Sequence, residues 1–437
     1  MFRSRRRSAS LLRAVGVALA VVAVGAALVF VLWPGGEDAP IGLAATVQSG
    51  PAQAVPQTTV AGPPQTTTTE PRIEITIAAV GDVMINIGAL RTAMDNEERE
   101  YDFYPIFAPV APYLSAADYT VANLETKLAG PTLRYTSYPR YNSPDAVADA
   151  LLAAGVDLVT TANNHAMDKD WFGVVDTLAC LDDKGLAHVG THRSPAEKEK
   201  TSPLVVDIQG VKVGFINYTD YLNGLSVPKE HRAYGVNLLQ DADQVAREAE
   251  AARKAGADIV IALLHWGREY SSTQNAQQVE LAIGTAEEPG LLHRGVDVIL
   301  GSHPHVLQPM TCVHREATLD TGDGYVVYSM GNFLSTMKRD LTDHGVIVYV
   351  HIQKVGDVAR VTGLSYMGVW VQESGSYPRK IRILPVLPGI EPQTDTGIGA
   401  RSTGCMEEAW EYLHGMYYRP EENIRPLEAA DLPADPE

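Results

Sequence analysis

The most constraining feature of this sequence is a series of short apolar runs, each closed by a glycine or a polar residue. The clearest runs span residues 73–80, 119–125, 156–163, 257–267 and 296–301. Runs of this kind predict buried strands. Amphipathic segments with helical end signals lie between them, at residues 144–155, 171–185 and 240–256, and residues 275–294 are predicted to be mostly helical. Strands that alternate with helices predict a layered α/β or α+β domain with mixed sheets.

Polar residues of metal-ligating types follow the successive apolar runs. They are Asp82, Glu125, Asn164, His265, His303 and His305. Ligands bind at the carboxyl ends of strands in open α/β sheets, because the loops there converge on one crevice. Each residue alone is more typical of a turn, a cap or a core histidine, so the joint pattern carries the prediction. Imidazole and carboxylate together suit divalent Zn, Mn or Fe better than Ca.

The beginning of the chain predicts a membrane anchor. Residues 14–33 carry no charged side chain, which is about the length that spans a bilayer. The arginine-rich residues 1–13 predict a cytoplasmic N-terminus, with the bulk of the single-pass protein outside the cell. The alternatives are a cleaved signal peptide and a twin-arginine export signal.

Three further segments follow this anchor. Residues 34–71 are rich in Pro and Thr and predict an extended linker. Residues 72–390 predict the folded domain, and residues 391–437 predict an acidic, mostly irregular tail. Cys312 and Cys405 could form a disulfide, and buried free thiols are the alternative.

The net charge of −18 argues against nucleic acid as a partner. An anionic substrate would therefore need a local region of positive charge at its binding site, which a metal ion would supply. Arg268, three residues after His265, is a candidate catalytic clamp for such an anion, and a solvent-exposed salt bridge is the alternative. Asn332 follows a late strand and either contacts substrate or holds its turn.

Six motifs in this order resemble the CapA family of poly-γ-glutamate capsule biosynthesis proteins: GDVM, ANLET, NNHAMD, HWGREY, GSHPH and YSMGNFL. That family belongs to the calcineurin-like metallophosphoesterase superfamily, and the similarity extends over residues 73–340. The resemblance implies a four-layer αββα sandwich. It also implies a metal centre whose strong site is formed by Glu125, Asn164, His265 and His303.

The resemblance further implies a weaker second metal site, formed by Asp82, the shared Glu125 and His305. Met84 stands where the superfamily has a histidine, and a thioether is a poor ligand for Mn, Fe or Zn. His165 matches the residue that acts as a general acid without binding metal.

Three functions remain open at this stage. The first is a membrane-anchored, extracytoplasmic protein that makes, exports or tethers an anionic polymer, through metal-dependent hydrolysis or transfer and with capsule or cell-wall synthesis partners. The second is a general extracellular metallophosphoesterase. The third is a catalytically inactive module that binds metal or anions. The lack of a histidine at position 84 favours an accessory role in polymer synthesis, export or tethering and the inactive module, whereas retention of Asn164 and His165 favours an enzyme.

Overall fold

The computed structural model describes residues 71–94, 100–315, 322–373, 380–387 and 400–428. The predicted cytoplasmic segment and anchor, and nearly all of the predicted linker, lie outside these ranges. Among the described residues, no helix has both the length and the apolar character needed to cross a bilayer.

The described strands form two sheets. The larger sheet has nine strands: β1 (Arg72–Val83), β2 (Tyr119–Leu124), β3 (Leu158–Thr160), β4 (Ala187–Val189), β11 (Asn332–Leu334), β12 (His344–Val355), β13 (Val358–Glu373), β14 (Ile381–Val386) and β15 (Ile424–Pro426). The smaller sheet has six strands: β5 (Leu204–Ile208), β6 (Val211–Thr219), β7 (Ile259–His265), β8 (Val298–Ser302), β9 (Leu307–Val313) and β10 (Gly324–Met330).

Parallel strands form one side of the larger sheet and the middle of the smaller sheet. The larger sheet runs β14-β13-β12-β1-β2-β3-β4, with β11 beside β1 and β15 beside β13. Its strands β1 to β4 are parallel to one another. The smaller sheet runs β5-β6-β7-β8-β10-β9, and β6, β7, β8 and β10 are parallel. Parallel strands place their carboxyl ends at one edge of a sheet, and the loops that follow them meet there.

Most of the described helices pack on the outer faces of the two sheets. Within the described residues the α-helices are α1 (Ile87–Ala93), α2 (Tyr104–Phe107), α3 (Ala111–Ser115), α4 (Ala146–Ala153), α5 (Asp170–Lys184), α6 (Pro195–Thr201), α7 (Ala242–Lys254), α8 (Ala276–Ala282) and α9 (Ala400–Tyr417).

The alternation of side chains along β1 shows how the layers are stacked. Ile77 and Ala79 point into the core between the two sheets, where they join Phe215 of β6. Ala78 and Val80 point to the opposite face, into the core shared with α1 to α5. A third core lies between the smaller sheet and helices α7 and α8. This helix–sheet–sheet–helix order of layers is the one that the resemblance implied.

The C-terminal residues correct the predicted boundary at residue 390. Helix α9 and strand β15 belong to the folded unit, because Leu413, Tyr417 and Ile424 are buried in the core between the sheets. Strand β15 pairs in parallel with β13, and the Tyr417 hydroxyl donates to the Ser329 carbonyl oxygen at 3.3 Å. The residues predicted to be mostly irregular therefore help to cover the sheets.

Two other segments differ from the sequence prediction. The stretch 275–294 was expected to be mostly helical, but α8 ends at Ala282, and Gly284 adopts a positive φ of 70° that closes a turn. Strand β9 was not predicted. It contains Pro309 and lies at the edge of the smaller sheet, where a missing backbone donor is tolerated. Cys312 in β9 and Cys405 in α9 are both free thiols.

Candidate metal centre

The structure brings together all six predicted metal-ligating residues where the carboxyl ends of the two sheets meet. Asp82 belongs to the end of β1, and His265 is the last residue of β7. The other four lie in the loops after β2, β3 and β8, and all six side chains are at most 1% exposed. The strand-end pattern therefore marks one buried cluster that is built from both sheets.

Backbone strain at the loop after β8 aims two imidazoles into the cluster. His303 and His305 both have positive φ angles, of 97° and 59°, which residues with a side chain rarely adopt. Strain of this kind persists where the surrounding structure enforces it, commonly at functional sites. At the neighbouring β1 strand, a Cβ on Gly81 would lie 1.9 Å from the Gly331 carbonyl oxygen, so only glycine permits this close approach.

Glu125 is the central residue of the cluster. Its side chain is fully buried, and neither carboxylate oxygen has a hydrogen-bond partner. Its Oε1 lies 3.8 Å from Nε2 of His265 and 3.8 Å from Nε2 of His305. Burial, followed by the charge of Asp82, raises the pKa of Glu125 well above its ordinary value. A buried carboxylate that lacks donors but faces two imidazole nitrogens fits a bound cation.

His265 is oriented as a metal ligand would be. Its Nδ1 lies 3.0 Å from the Ser302 hydroxyl, and its Nε2 lies 3.2 Å from Oδ1 of Asn164. Burial lowers the pKa of His265 well below its ordinary value, so the ring is neutral. When Nδ1 carries the proton and donates it to Ser302, the lone pair of Nε2 faces Asn164 and Glu125. A hydrogen bond to the remote ring nitrogen is the usual way that a protein orients a ligating histidine.

His303 shows the same arrangement. Its Nε2 lies 2.7 Å from the Tyr221 hydroxyl, whereas its buried Nδ1 has no partner. Burial lowers the pKa of His303 to about 3, so this ring is also neutral. In this cluster the ligand atoms that lie within 4.8 Å of one another form two groups, Asp82 with Glu125 and His305, and Glu269 with His303 and His305. The strong site that the resemblance implied therefore stays a prediction.

Both carboxylate oxygens of Asp82 have hydrogen-bond partners, unlike those of Glu125. Its Oδ1 accepts a hydrogen bond from Asn123 at 2.7 Å, and its Oδ2 lies 3.0 Å from Nδ1 of His305 and 3.3 Å from the His303 amide nitrogen. Burial alone would raise the pKa of Asp82, but the hydrogen bond and charge of His305 lower it overall. Asp82, Glu125 and His305 place one ligand atom each within 4.8 Å of one another. The Asp82 oxygens also contact Asn123 and the loop that carries His303 and His305, so the relative strength of the two predicted sites stays a prediction.

His165 lies beside the cluster rather than in it. Its Nδ1 is 2.8 Å from Oδ2 of Asp168, and the Tyr141 ring packs edge-on against the imidazole. Its Nε2 lies 3.4 Å from the Asn223 amide. His165 lines a cavity of about 370 Å³ together with Met84, His305, Arg140, Glu269 and other residues. This position fits a proton donor that meets substrate in the cavity.

The two residues predicted to meet substrate are placed differently. Asn332 is fully buried behind His305, where its Oδ1 lies 3.0 Å from His305 Nδ1 and its amide donates to the Thr342 carbonyl at 2.8 Å. It therefore holds the imidazole and its turn, which was one of its two expected roles. Arg268 is exposed and is not among the described residues that line the cavity, so its role as an anion clamp stays a prediction.

Several residues that hold the centre escaped the sequence analysis. Asn123 connects Asp82 to Thr160, whose hydroxyl donates to Oδ1 of Asn123 at 2.9 Å. Ser302 and Tyr221 each contact the outer nitrogen of a histidine. Their position in the sequence could have identified them, since Asn123, Ser302 and Tyr221 lie at or just beyond the carboxyl end of a strand, as the predicted ligands do.

Solved structures with some similarity include the calcineurin-like phosphoesterase YfkN from Bacillus subtilis, at 16% identity and a TM-score of 0.41, over 79% of this chain and 100% of that one. A putative 5'-nucleotidase from Staphylococcus aureus aligns at 14% identity and a TM-score of 0.39, over 78% of this chain and 59% of that one. At these scores the similarity adds nothing to the assignment that follows.

Sequence comparison gives a more specific result. The chain is 26% identical to the capsule biosynthesis protein CapA of Bacillus anthracis, over 65% of each protein. It is 28% identical to the PGA biosynthesis protein CapA of Bacillus subtilis, over 63% of this chain and 67% of that protein. A probable polyglutamine synthesis accessory protein of Mycobacterium tuberculosis is 28% identical over 42% of this chain and 48% of its own length. The match thus spans about two thirds of the CapA relatives.

The family model for the bacterial capsule synthesis protein PGA_cap matches residues 76–337, which include every residue of the buried cluster. This range also contains all six motifs on which the resemblance was based, so the predicted family is confirmed. The chain belongs to the PGA_cap family of bacterial capsule synthesis proteins.

Proposed function

We propose that this protein acts outside the cell, held by an N-terminal membrane anchor, as a metal-dependent enzyme that hydrolyses or transfers segments of an anionic cell-surface polymer. The observation that carries the proposal is Glu125, a fully buried carboxylate with no hydrogen-bond donor, which faces the imidazoles of His265 and His305. A divalent cation would satisfy all three groups at once. A purely structural core would place apolar side chains there.

The residues around the centre support metal-assisted chemistry. Glu125, Asn164, His265 and His303 would hold the ion, which would act as a Lewis acid on a phosphoryl or carbonyl oxygen. Asp168 accepts a hydrogen bond from Nδ1 of His165 and so fixes the ring orientation. A second proton on Nε2 of His165 would then face the cavity, where it can protonate a leaving group.

Charged side chains of both signs lie at or beside the cavity. Arg140 lies at its wall and forms an ion pair with Asp170 at 2.9 Å, and the Arg339 guanidinium lies 4.0 Å above the ring of Tyr270, which is another wall residue. Arginine pairs well with carboxylates and phosphates because it offers several donors in one plane. Asp168 and Glu269 also line the cavity, so a bound cation would have to supply the positive charge that attracts an anionic substrate. The names of the CapA relatives make a capsule-type polymer the substrate to test first.

The location rests on the sequence. Residues 14–33 are uncharged and follow an arginine-rich segment, which favours an anchor with the folded unit outside the cell. Fractionation of cells that express the full chain tests this directly. Protein found in the membrane, and degraded by protease added to intact spheroplasts, would support the location, whereas a soluble protein that begins after residue 33 would contradict it.

The enzymatic proposal is tested with the purified full-length chain. Metal content is measured by elemental analysis, and turnover is measured on bis(4-nitrophenyl) phosphate and on poly-γ-glutamate. His265→Ala should lose both metal and turnover. His165→Gln should keep the metal and lose turnover by about 10²-fold or more, because general acid catalysis contributes 10²–10⁴-fold. Equal metal content in His265→Ala and the parent would overturn the proposal.

One observation favours a second function, a metal- or anion-binding module without catalysis. Both Asp82 oxygens are already hydrogen-bonded, and Met84 lies at the position where the superfamily has a histidine. A single ion in the strong site would then bind anions without a partner ion. This alternative predicts metal binding and polymer binding by the parent, with no turnover of either substrate.

A further inference from the structure

Glu269 lies on the turn that follows β7, four residues after His265. It is exposed, and it lines the cavity together with Met84 and His305. One ligand atom from each of Glu269, His303 and His305 lies within 4.8 Å of the others. A carboxylate and two imidazoles at this separation form a group that can bind a transition metal ion. The sequence analysis did not single out Glu269.

The turn that carries Glu269 is fixed to the loop that carries the histidines. The backbone amide of Tyr270 donates to the Pro304 carbonyl oxygen at 2.8 Å, and Pro304 lies between His303 and His305. Tyr270 has a positive φ of 62°, and the Arg339 guanidinium covers its ring. The Glu269 carboxylate is thus held at the mouth of the metal centre by backbone contacts and not only by its own side chain.

Two buried polar groups beside Glu269 lack protein partners. Nδ1 of His303 is buried without a hydrogen bond, and so are both carboxylate oxygens of Glu125. Unpaired groups of this kind are costly unless a ligand satisfies them. They lie on the inner side of the cluster, whereas Glu269 lies on the solvent side. An ion bound between these groups would have ligands on both its buried side and its solvent side.

We propose that Glu269 is an additional ligand of the metal centre, which closes the donor set around His305 from the solvent side. The inference rests on the proposed metal-dependent function. It gives the centre a hard oxygen donor to offset the thioether of Met84, which binds Mn, Fe or Zn poorly. Metal binding by Glu269 would also make this exposed acid compatible with an anionic substrate, because the bound cation neutralises the carboxylate at the mouth of the cavity.

The test compares Glu269→Gln with the parent in the full-length chain, using Mn²⁺ and Zn²⁺ alone as probes. Stoichiometry is measured by elemental analysis and affinity by calorimetry. Glu269→Gln should weaken the more weakly bound ion by about tenfold or more and lower the stoichiometry. Glu269→His should restore binding, because imidazole is a donor and the glutamine amide is a poor one. Glu287→Gln, which changes an exposed acid on a distant turn, should bind as the parent does.

The outcomes distinguish failure of the Glu269 inference from failure of the proposed metal-dependent function. If the parent binds metal and Glu269→Gln binds it with the same stoichiometry and affinity, this inference fails while the proposed function stands. If the parent binds no metal, both fail. Loss of binding in Glu269→Gln without rescue by Glu269→His would mean that the charge, and not ligation, is needed, which also overturns the inference. The melting temperature in EDTA should be unchanged in all variants, since Glu269 is exposed.

Discussion

Replacing Glu125 with glutamine should have opposite effects on the metal-free and metal-bound protein. In the absence of metal the carboxylate is fully buried and neither oxygen has a donor. A buried polar group without a partner costs about 1–3 kcal/mol. The raised pKa of Glu125 means that the metal-free protein bears this cost either as a buried charge or as the uptake of a proton. Glutamine has nearly the same shape, carries no charge and has an NH₂ group that can donate. Metal-free Glu125→Gln should therefore be more stable than the parent by about 1–3 kcal/mol.

The same substitution removes the central ligand, so the variant should no longer be stabilised by metal. An ion at 100 times its Kd stabilises the parent by about 2.7 kcal/mol. Urea unfolding, in EDTA and in excess Mn²⁺, measures both effects through the midpoint of the transition. A metal-free variant that is less stable than the parent, or one that keeps the full stabilisation by Mn²⁺, would refute the reasoning.

Glu248 offers a matched control for this experiment. It is another buried glutamate, but its two carboxylate oxygens accept hydrogen bonds from the Ser202 hydroxyl and the Tyr218 hydroxyl. Glu248→Gln exchanges one of these acceptors for a donor and should destabilise the metal-free protein by about 1–3 kcal/mol. It should leave the stabilisation by Mn²⁺ intact. If the change in the free energy of unfolding has opposite signs in metal-free Glu125→Gln and Glu248→Gln, then the hydrogen-bond partners of each glutamate, and not burial alone, determine the change in stability.

Three further predictions concern other parts of the molecule. Met84 lines the cavity beside His305, so Met84→His should raise the metal stoichiometry without lowering the melting temperature, as elemental analysis and thermal unfolding would show. Asp168→Asn should lower turnover about 10²-fold at unchanged metal content, because Asp168 orients His165. Burial lowers the pKa of His192 from 6.5 to about 4. The unfolded chain therefore binds more protons in this window, and stability should fall by up to about 3 kcal/mol as the pH drops from 6.5 to 4. Urea unfolding of His192→Gln at several pH values should show a pH dependence that is smaller by this amount, because His265 and His303 also have lowered pKa values.

The central strands could be predicted because their apolar runs are long and local. Strands β1, β2, β7 and β8 lie within or close to the predicted runs, and helices α4, α5 and α7 match the predicted helices to within a few residues. Strand β15 could not be predicted, because its three residues are ordered by pairing with β13, about sixty residues earlier in the chain. Edge and terminal elements depend on such distant contacts more than on local pattern.

The ligand types could be predicted from strand ends, but the contacts behind them could not. Asn123 pairs with Asp82 across β1 and β2, and Ser302 pairs with His265 across β7 and β8. To predict these contacts one must know the register in which neighbouring parallel strands pair, and a single sequence does not specify that register. Glu269 was missed for a related reason. It lies four residues after a predicted ligand, and only the fold of the turn returns its carboxylate to the histidines.

The centre and the fold place opposite demands on the same residues. Two sheets with well-packed cores meet at an edge where Glu125 is buried without a donor, and where His303 combines an unpaired nitrogen with a φ of 97°. Each feature costs stability, and local sequence preferences do not favour either. A bound ion would offset the cost, because it satisfies the unpaired atoms in the folded state alone. Stability and metal binding should therefore be coupled at Glu125 and uncoupled at Glu248, where the fold itself supplies the hydrogen bonds.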